Sequence, residues 1–130
     1  MTDPIADMLA RIRNATAIRQ AEFTMPWSKM KGEIARILER EGYIAGYALE
    51  TPENGHPVLR IKNKFINKVS AIAGLKRISR PGLRRYVGAN DIPRVLGGMG
   101  IAILSTSRGI LSGHEARKQN TGGELLAYIW

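Results

Sequence analysis

The chain predicts an α+β protein built as two small domains. Helical and strand periodicities alternate through its first half. Gly and Pro clusters cut its second half into short apolar runs. A length of 130 residues leaves room for one or two small cores. The expected division is an N-terminal α+β unit of helix, strand, helix and hairpin over residues 1–68. A C-terminal, mostly β unit with one short helix should cover residues 69–130.

Asp3 is placed to cap a first helix, with Pro4 at its first position, where a missing N–H costs nothing. Ile5, Met8, Leu9 and Ile12 recur at helical spacing and form its buried stripe. Glu22 to Met25 reads as a short strand ended by Pro26. Ser28 caps a second helix with Met30, Ile34, Ile37 and Leu38 as its apolar face, and Gly42 ends it. Tyr43–Glu50 and Val58–Asn63 are strands joined by the turn signal Glu53-Asn54-Gly55, so they form a hairpin. Residues 65–70 are the expected boundary.

Beyond it, Ser79-Arg80-Pro81-Gly82 breaks the chain, and Leu83–Val87 resumes as a strand. Asp91 is expected to cap one helical turn stopped by Gly97-Gly98. Ile101–Leu104 and Ile110-Leu111 are apolar runs on either side of Ser105-Thr106-Ser107-Arg108. Ser112 and Glu115 have capping-box spacing, so a short helix runs to about Asn120, ended by Gly122-Gly123. Residues 124–130 read as a last buried strand. Two turns, Ser105–Arg108 and Thr121–Glu124, thus interrupt an apolar scaffold with groups that hydrogen-bond but have little bulk.

The net charge of +9 is localised. Residues 60–94 hold ten Lys and Arg side chains against the single acid Asp91, and the rest of the chain is neutral. Such clustering favours a polyanionic partner, because a basic face serving only solubility needs no clustering. Cys is absent, which removes disulfides and thiolate metal sites and fits a reducing compartment. The expected location is the cytoplasm or an organelle matrix, since no signal peptide or apolar span is visible.

Catalysis and membrane attachment are poorly supported. His56 and His114 lack the spacing of a metal pair, and the chain has neither a nucleophile elbow nor a phosphate-cradling Walker loop. Gly97-Gly98-Met99-Gly100 precedes a strand instead of a helix, the wrong order for a dinucleotide turn. The basic residues fall mostly in strands and turns, whereas surface-bound membrane proteins use a basic amphipathic helix. No cofactor and no membrane partner are expected.

The run from Gly100 to Trp130, GIAILSTSRGILSGHEARKQNTGGELLAYIW, resembles the C-terminal signature of the bacterial small-subunit ribosomal protein S-eight family. Ile78–Tyr86 is similar to a second block of that family, and Asp3–Leu9 with Arg11–Asn14 to a third, in the family's order and over the whole chain. Arg108 stands where lysine would also serve, Ser112-Gly113-His114 is a variable connector, and the length of the Thr51–Pro57 turn is loosely specified. The resemblance implies a structural constituent of the small ribosomal subunit, in the cytoplasm or an organelle matrix. It implies direct, early binding to the central domain of 16S rRNA, with assembly of the small-subunit platform as the consequence. Neighbouring small-subunit ribosomal proteins are implied partners, and the protein's own operon mRNA is a further one that bacterial members of the family use.

The candidate RNA contacts follow from chemistry and from this resemblance together. Ser105, Thr106 and Ser107 carry hydroxyls that donate and accept, so they suit phosphate, ribose and base edges, although Ser and Thr are also ordinary turn formers. Arg108 follows them. Gly122 and Gly123 either close a helix or let a nucleic-acid backbone approach, and Glu124 is either solvated or an acceptor for base donors. Arg80 and Arg84 offer cations, and Tyr86 offers a ring for stacking, unless it is a core tyrosine. Lys29 and Lys31 oppose the dipole of the second helix, which hints at an anion nearby unless they are simply solvent-exposed, and Asn14 with Arg11 is a weaker candidate on the first.

Overall fold

The computed structural model describes residues 3–130, and its mixture of helices and strands is the α+β class expected. The chain packs as two compact units, residues 10–72 and residues 3–9 together with 73–130. The division expected after residue 68 therefore differs from the packing in two places: the first helix is shared between the units, and residues 69–72 go with the earlier one.

The first helix, α1 (Pro4–Ala17), starts where Asp3 accepts the Ala6 N–H at 3.1 Å. Its stripe Ile5, Met8, Leu9 and Ile12 is buried throughout. The same Asp3 carboxylate receives Arg77 Nε at 3.2 Å, and Arg77 also donates to the Leu126 carbonyl at 2.6 Å. This pairing of distant segments is why the chain's first residues pack with its last third.

In the unit of residues 10–72, β1 (Glu22–Pro26), α2 (Lys29–Arg40), β2 (Ile44–Glu50) and β3 (Val58–Asn63) follow in order. The strands form an antiparallel sheet ordered β1-β3-β2, with the hairpin where the Glu53-Asn54-Gly55 signal put it. The Ser28 hydroxyl accepts the Lys31 N–H and caps α2. Gly42 follows the helix at φ +83°, and Tyr43 N–H closes onto the Leu38 carbonyl at 2.8 Å, the usual left-handed helix stop. Ile34, Ala35, Ile37 and Leu38 are buried against this unit's core, but Met30 is 40% exposed. The buried stripe of α2 takes in Lys31 and Gly32 instead of Met30. The segment expected as a linker is folded: β4 (Phe65–Ile66) and β5 (Val69–Ser70) pair around Asn67 and Lys68, both in the left-handed region.

In the other unit, β6 (Leu75–Arg77), β7 (Tyr86–Val87), β8 (Ile101–Thr106), β9 (Gly109–Ser112), the helix α3 (Gly113–Lys118) and β10 (Gly123–Ile129) form one sheet with a helix. The order is β6-β10-β8-β9, and β7 also pairs with β10. Ala102, Leu104, Leu111, Ala116 and Leu125 share a core cluster with Ile78, Ile92 and Val95. The strand expected over Leu83–Val87 is reduced to Tyr86–Val87. Pro81 and Gly82, the latter at φ +85°, fold Arg80 and Leu83 into a tight turn with bonds in both directions, and the chain rejoins the sheet only after it. The helical turn expected from Asp91 is two short 3₁₀ segments, Ala89–Asp91 and Val95–Gly98, neither with a side-chain cap.

The capping box of Ser112 and Glu115 is formed in both directions. The end of α3 differs from expectation: Asn120 at φ +53° stops it, with Thr121 N–H bonded to the Ala116 carbonyl at 2.9 Å. Asn tolerates this conformation, so the stop comes before the glycines are reached.

A candidate nucleic-acid interface

The N-terminal end of β10 gathers most of the residues expected to meet RNA. Glu124 stands opposite Tyr86 of β7 on one side and opposite Ser105 of β8 on the other. Directly paired residues of adjacent strands point to the same face, so Tyr86, Glu124 and Ser105 form a polar row across three strands. Ser105 and Thr106 therefore lie in a strand, and only Ser107 and Arg108 form the turn between β8 and β9. Glu124 likewise lies in β10, not in the turn before it.

Each hydroxyl of the triplet has a different task. Thr106 Oγ1 donates to the Gly109 carbonyl at 2.8 Å and accepts the Arg108 N–H at 3.0 Å, so it builds the turn. Gly109 completes it at φ +103°, a conformation a side chain would oppose. Ser107 is exposed and Ser105 half-buried, and neither hydroxyl bonds to another described residue. Arg108 is exposed beside them.

Glu124 is held more firmly than its place at a strand start suggested. Its side chain is only 14% exposed. Oε2 accepts from Ser79 Oγ at 2.5 Å and from Arg84 Nη1 at 3.0 Å. Burial alone would raise the pKa of this carboxyl, but the bonds from Ser79 and Arg84, with the charges of Arg84 and Arg77, outweigh it and hold the group below the usual carboxylate range. Arg84 in turn is held above its ordinary value by the hydrogen bond it donates to Glu124 and by the charge of that carboxylate. A fixed, ionised acceptor is thus presented beside a 71% exposed tyrosine ring. Tyr86 is therefore not a core residue.

The glycines beside this row serve the protein's own packing. A Cβ on Gly122 would strike the Val87 carbonyl oxygen, and one on Gly123 the Ser105 carbonyl oxygen. In the direction a side chain would take, the space at both glycines is filled by neighbouring backbone. Gly122 and Gly123 let β7 and β8 close on β10, which brings Tyr86 and Ser105 to Glu124.

The remaining candidates lie elsewhere. Arg80 is exposed and lines a cleft of about 390 Å³ with Asp3, Ala6, Arg77 and Pro81. Asn14 and Arg11 line a second cleft, of about 200 Å³, with Ala15, Ile18 and Phe23 in the other unit. Lys29 is exposed in the first turn of α2, which contains no acid. Lys31 is only 7% exposed, with Nζ 3.4 Å from the Pro26 carbonyl. Its aliphatic stem joins the buried stripe, so it is a packing residue and not a surface cation.

The basic stretch over residues 60–94 is divided between the units, and part of it is internally compensated. Arg60 forks onto Glu50 at 2.8 and 3.1 Å, Arg77 is paired with Asp3, and Arg84 with Glu124. Lys62, Lys68, Lys76, Arg80, Arg85 and Arg94 are exposed. Ser79, which in sequence marks only a chain break, donates to Glu124 and accepts the Arg85 backbone N–H.

Comparison with known proteins agrees over the same span. The family profile described as Ribosomal protein S8 matches residues 3–130. The chain is 57% identical to the small ribosomal subunit protein uS8 of Geobacillus kaustophilus, covering 100% of this chain and 98% of that protein. It is 54% identical to uS8 of Persephonella marina, over 100% and 99% of the two chains. Against uS8 of Saccharopolyspora erythraea the identity is 52%, over 100% and 98%. With that full-length match, the chain belongs to the ribosomal protein S8 family, a family of structural ribosomal proteins and not of enzymes.

Proposed function

We propose that this protein is a constituent of the small ribosomal subunit that binds the central domain of 16S rRNA directly and helps assemble the subunit's platform. The observation that carries the proposal is the row Tyr86–Glu124–Ser105, continued by Ser107 at the adjacent turn. An aromatic face, a fixed acceptor and two uncommitted hydroxyls meet at one end of a sheet. That set suits bases and riboses better than phosphates alone. The exposed lysines and arginines supply the nonspecific attraction and offset repulsion between converging phosphates.

The mechanism is passive. A preformed surface selects one RNA geometry and stabilises it. A stem of similar shape in the protein's own operon mRNA would be bound by the same groups, which makes repression of that message part of the proposal. Neighbouring small-subunit ribosomal proteins complete the setting.

The test is a gel-shift titration of the whole protein against separate transcripts of the 16S rRNA domains. Tight binding confined to the central domain supports the reading. Equal affinity for all of them would contradict it.

A further inference from the structure

We propose that Ser79 is a positioning residue for RNA selectivity, holding the Glu124 carboxylate in the orientation in which its second oxygen can accept from RNA. The inference rests on the reading of this face as the RNA interface. Ser79 is fully buried, at 0% exposure, and touches no surface a ligand could reach. Its hydroxyl accepts the Arg85 backbone N–H at 3.1 Å. That N–H can only donate, so it occupies a lone pair of Oγ and directs the hydroxyl proton elsewhere. The proton goes to Glu124 Oε2 at 2.5 Å.

Arg84 Nη1 donates to the same Oε2 at 3.0 Å. Both donors thus converge on one carboxylate oxygen, and Oε1 is left without a bond to any described residue. Glu124 itself stands in the row between Tyr86 and Ser105. A group that donates, such as a base amino or imino edge or a ribose hydroxyl, fits such an acceptor, whereas a phosphate oxygen is repelled by it. Arg84 alone would fix the carboxylate less firmly, because its side chain is 51% exposed to solvent. The buried serine supplies the rigid half of the arrangement.

The experiment compares Ser79→Ala, Glu124→Gln and the double variant in the full chain, titrated with a central-domain stem and with a scrambled stem of equal length. The expected result for Ser79→Ala is about a tenfold or greater loss on the central-domain stem, from loss of a hydrogen bond to a charged group. Binding to the scrambled stem and the slope of affinity against salt should not change. The double variant should lose little more selectivity than Glu124→Gln alone, because the serine acts through the carboxylate. Ser79→Cys keeps the site filled but exchanges the hydroxyl for a larger thiol that donates only weakly, so it decides the question if Ser79→Ala does not fold. Unchanged selectivity in the folded serine variants, or losses that simply add in the double variant, would overturn the proposal. If selectivity then still falls in Ser107→Ala, the interface stands and only the role of Ser79 fails.

Discussion

Asp3 and Arg77, 74 residues apart, are joined by paired contacts of 3.2 and 3.5 Å, and the same carboxylate caps α1. The Arg77 side chain is 10% exposed and that of Asp3 19%, so this pair is screened far less than a surface pair. Replacing Asp3 with Ala removes a helix cap and leaves a largely buried guanidinium with fewer partners. The expected loss is about 2 to 4 kcal/mol of stability. A urea melt of Asp3→Ala against the unaltered chain measures it. A change within 0.5 kcal/mol would show that solvent already compensates Arg77 (about the scatter of neutral surface substitutions).

Thr106 and Ser107 should separate stability from recognition. Thr106→Ala removes the hydroxyl that ties the β8–β9 turn on both sides, at a cost of about 1 to 2 kcal/mol in stability. Ser107→Ala removes a hydroxyl with no partner among the described residues, so the melting temperature should stay where it is. Affinity for the central-domain stem should nevertheless fall by about 1 kcal/mol or more, with weak binding to unrelated RNA nearly untouched. Thermal melts and paired gel shifts on both variants distinguish the two roles. Equal melting temperatures for Thr106→Ala and Ser107→Ala would remove the assignment of Thr106 to the turn.

These contrasts also show what the sequence could and could not disclose. Local signals worked wherever a few adjacent residues decide the outcome: the Ser28 cap, the Ser112–Glu115 capping box and the hairpin at Glu53-Asn54-Gly55. The bond from Ser79 to Glu124 spans 45 residues and involves a single hydroxyl in a chain-breaking segment, so no periodicity announces it. Lys31 reads as a surface cation in sequence, but a lysine stem can fill an apolar stripe while its ammonium reaches a backbone carbonyl. Gly122 and Gly123 carry a further constraint that no local signal shows, since only the folded sheet brings the Val87 and Ser105 carbonyl oxygens to where a Cβ would stand. The expected strand over Leu83–Val87 failed for a related reason. Apolar alternation does not reveal that Arg85 donates to Ser79 and gives its carbonyl to Leu125 before regular pairing begins.

Glu124 gives a pH prediction with a defined sign. Its folded pKa is lowered, so its contribution to stability is complete above the ordinary carboxylate range and is lost as pH falls through the folded value. Glu124→Gln has no such titration. The stability gap between the unaltered chain and this variant should therefore be widest near neutrality and narrow on acidification below the ordinary carboxylate range. Urea melts at a series of pH values read the gap. A gap that widens toward acid would mean that the carboxyl is favoured in its protonated form in the fold.

Lys29 and Lys31 should behave oppositely although they are two residues apart. Lys29→Ala should weaken cognate and unrelated RNA alike and make the dependence of log affinity on log salt shallower by about one unit, as for one lost phosphate contact. Lys31→Ala should leave that slope unchanged and lower the melting temperature, because it removes a buried stem. Titrations at several salt concentrations with parallel melts test both. A shallower slope for Lys31→Ala would put its ammonium at the RNA after all.

The central claim is that the N-terminal end of β10 faces the rRNA central domain, and it can be tested by local cleavage. The chain has no Cys, so a single Gln119→Cys carries one iron chelate and no other. Gln119 is exposed just after α3 and lies outside the proposed contacts, so the label need not block binding. With the labelled protein bound to full-length 16S rRNA, hydroxyl radicals should cut the two strands of one stem in the central domain. A control label at Glu53→Cys, in the β2–β3 turn of the other unit, should give a different pattern. Cuts from Gln119→Cys that fall outside the central domain, or no cuts while the protein stays bound, would contradict the account.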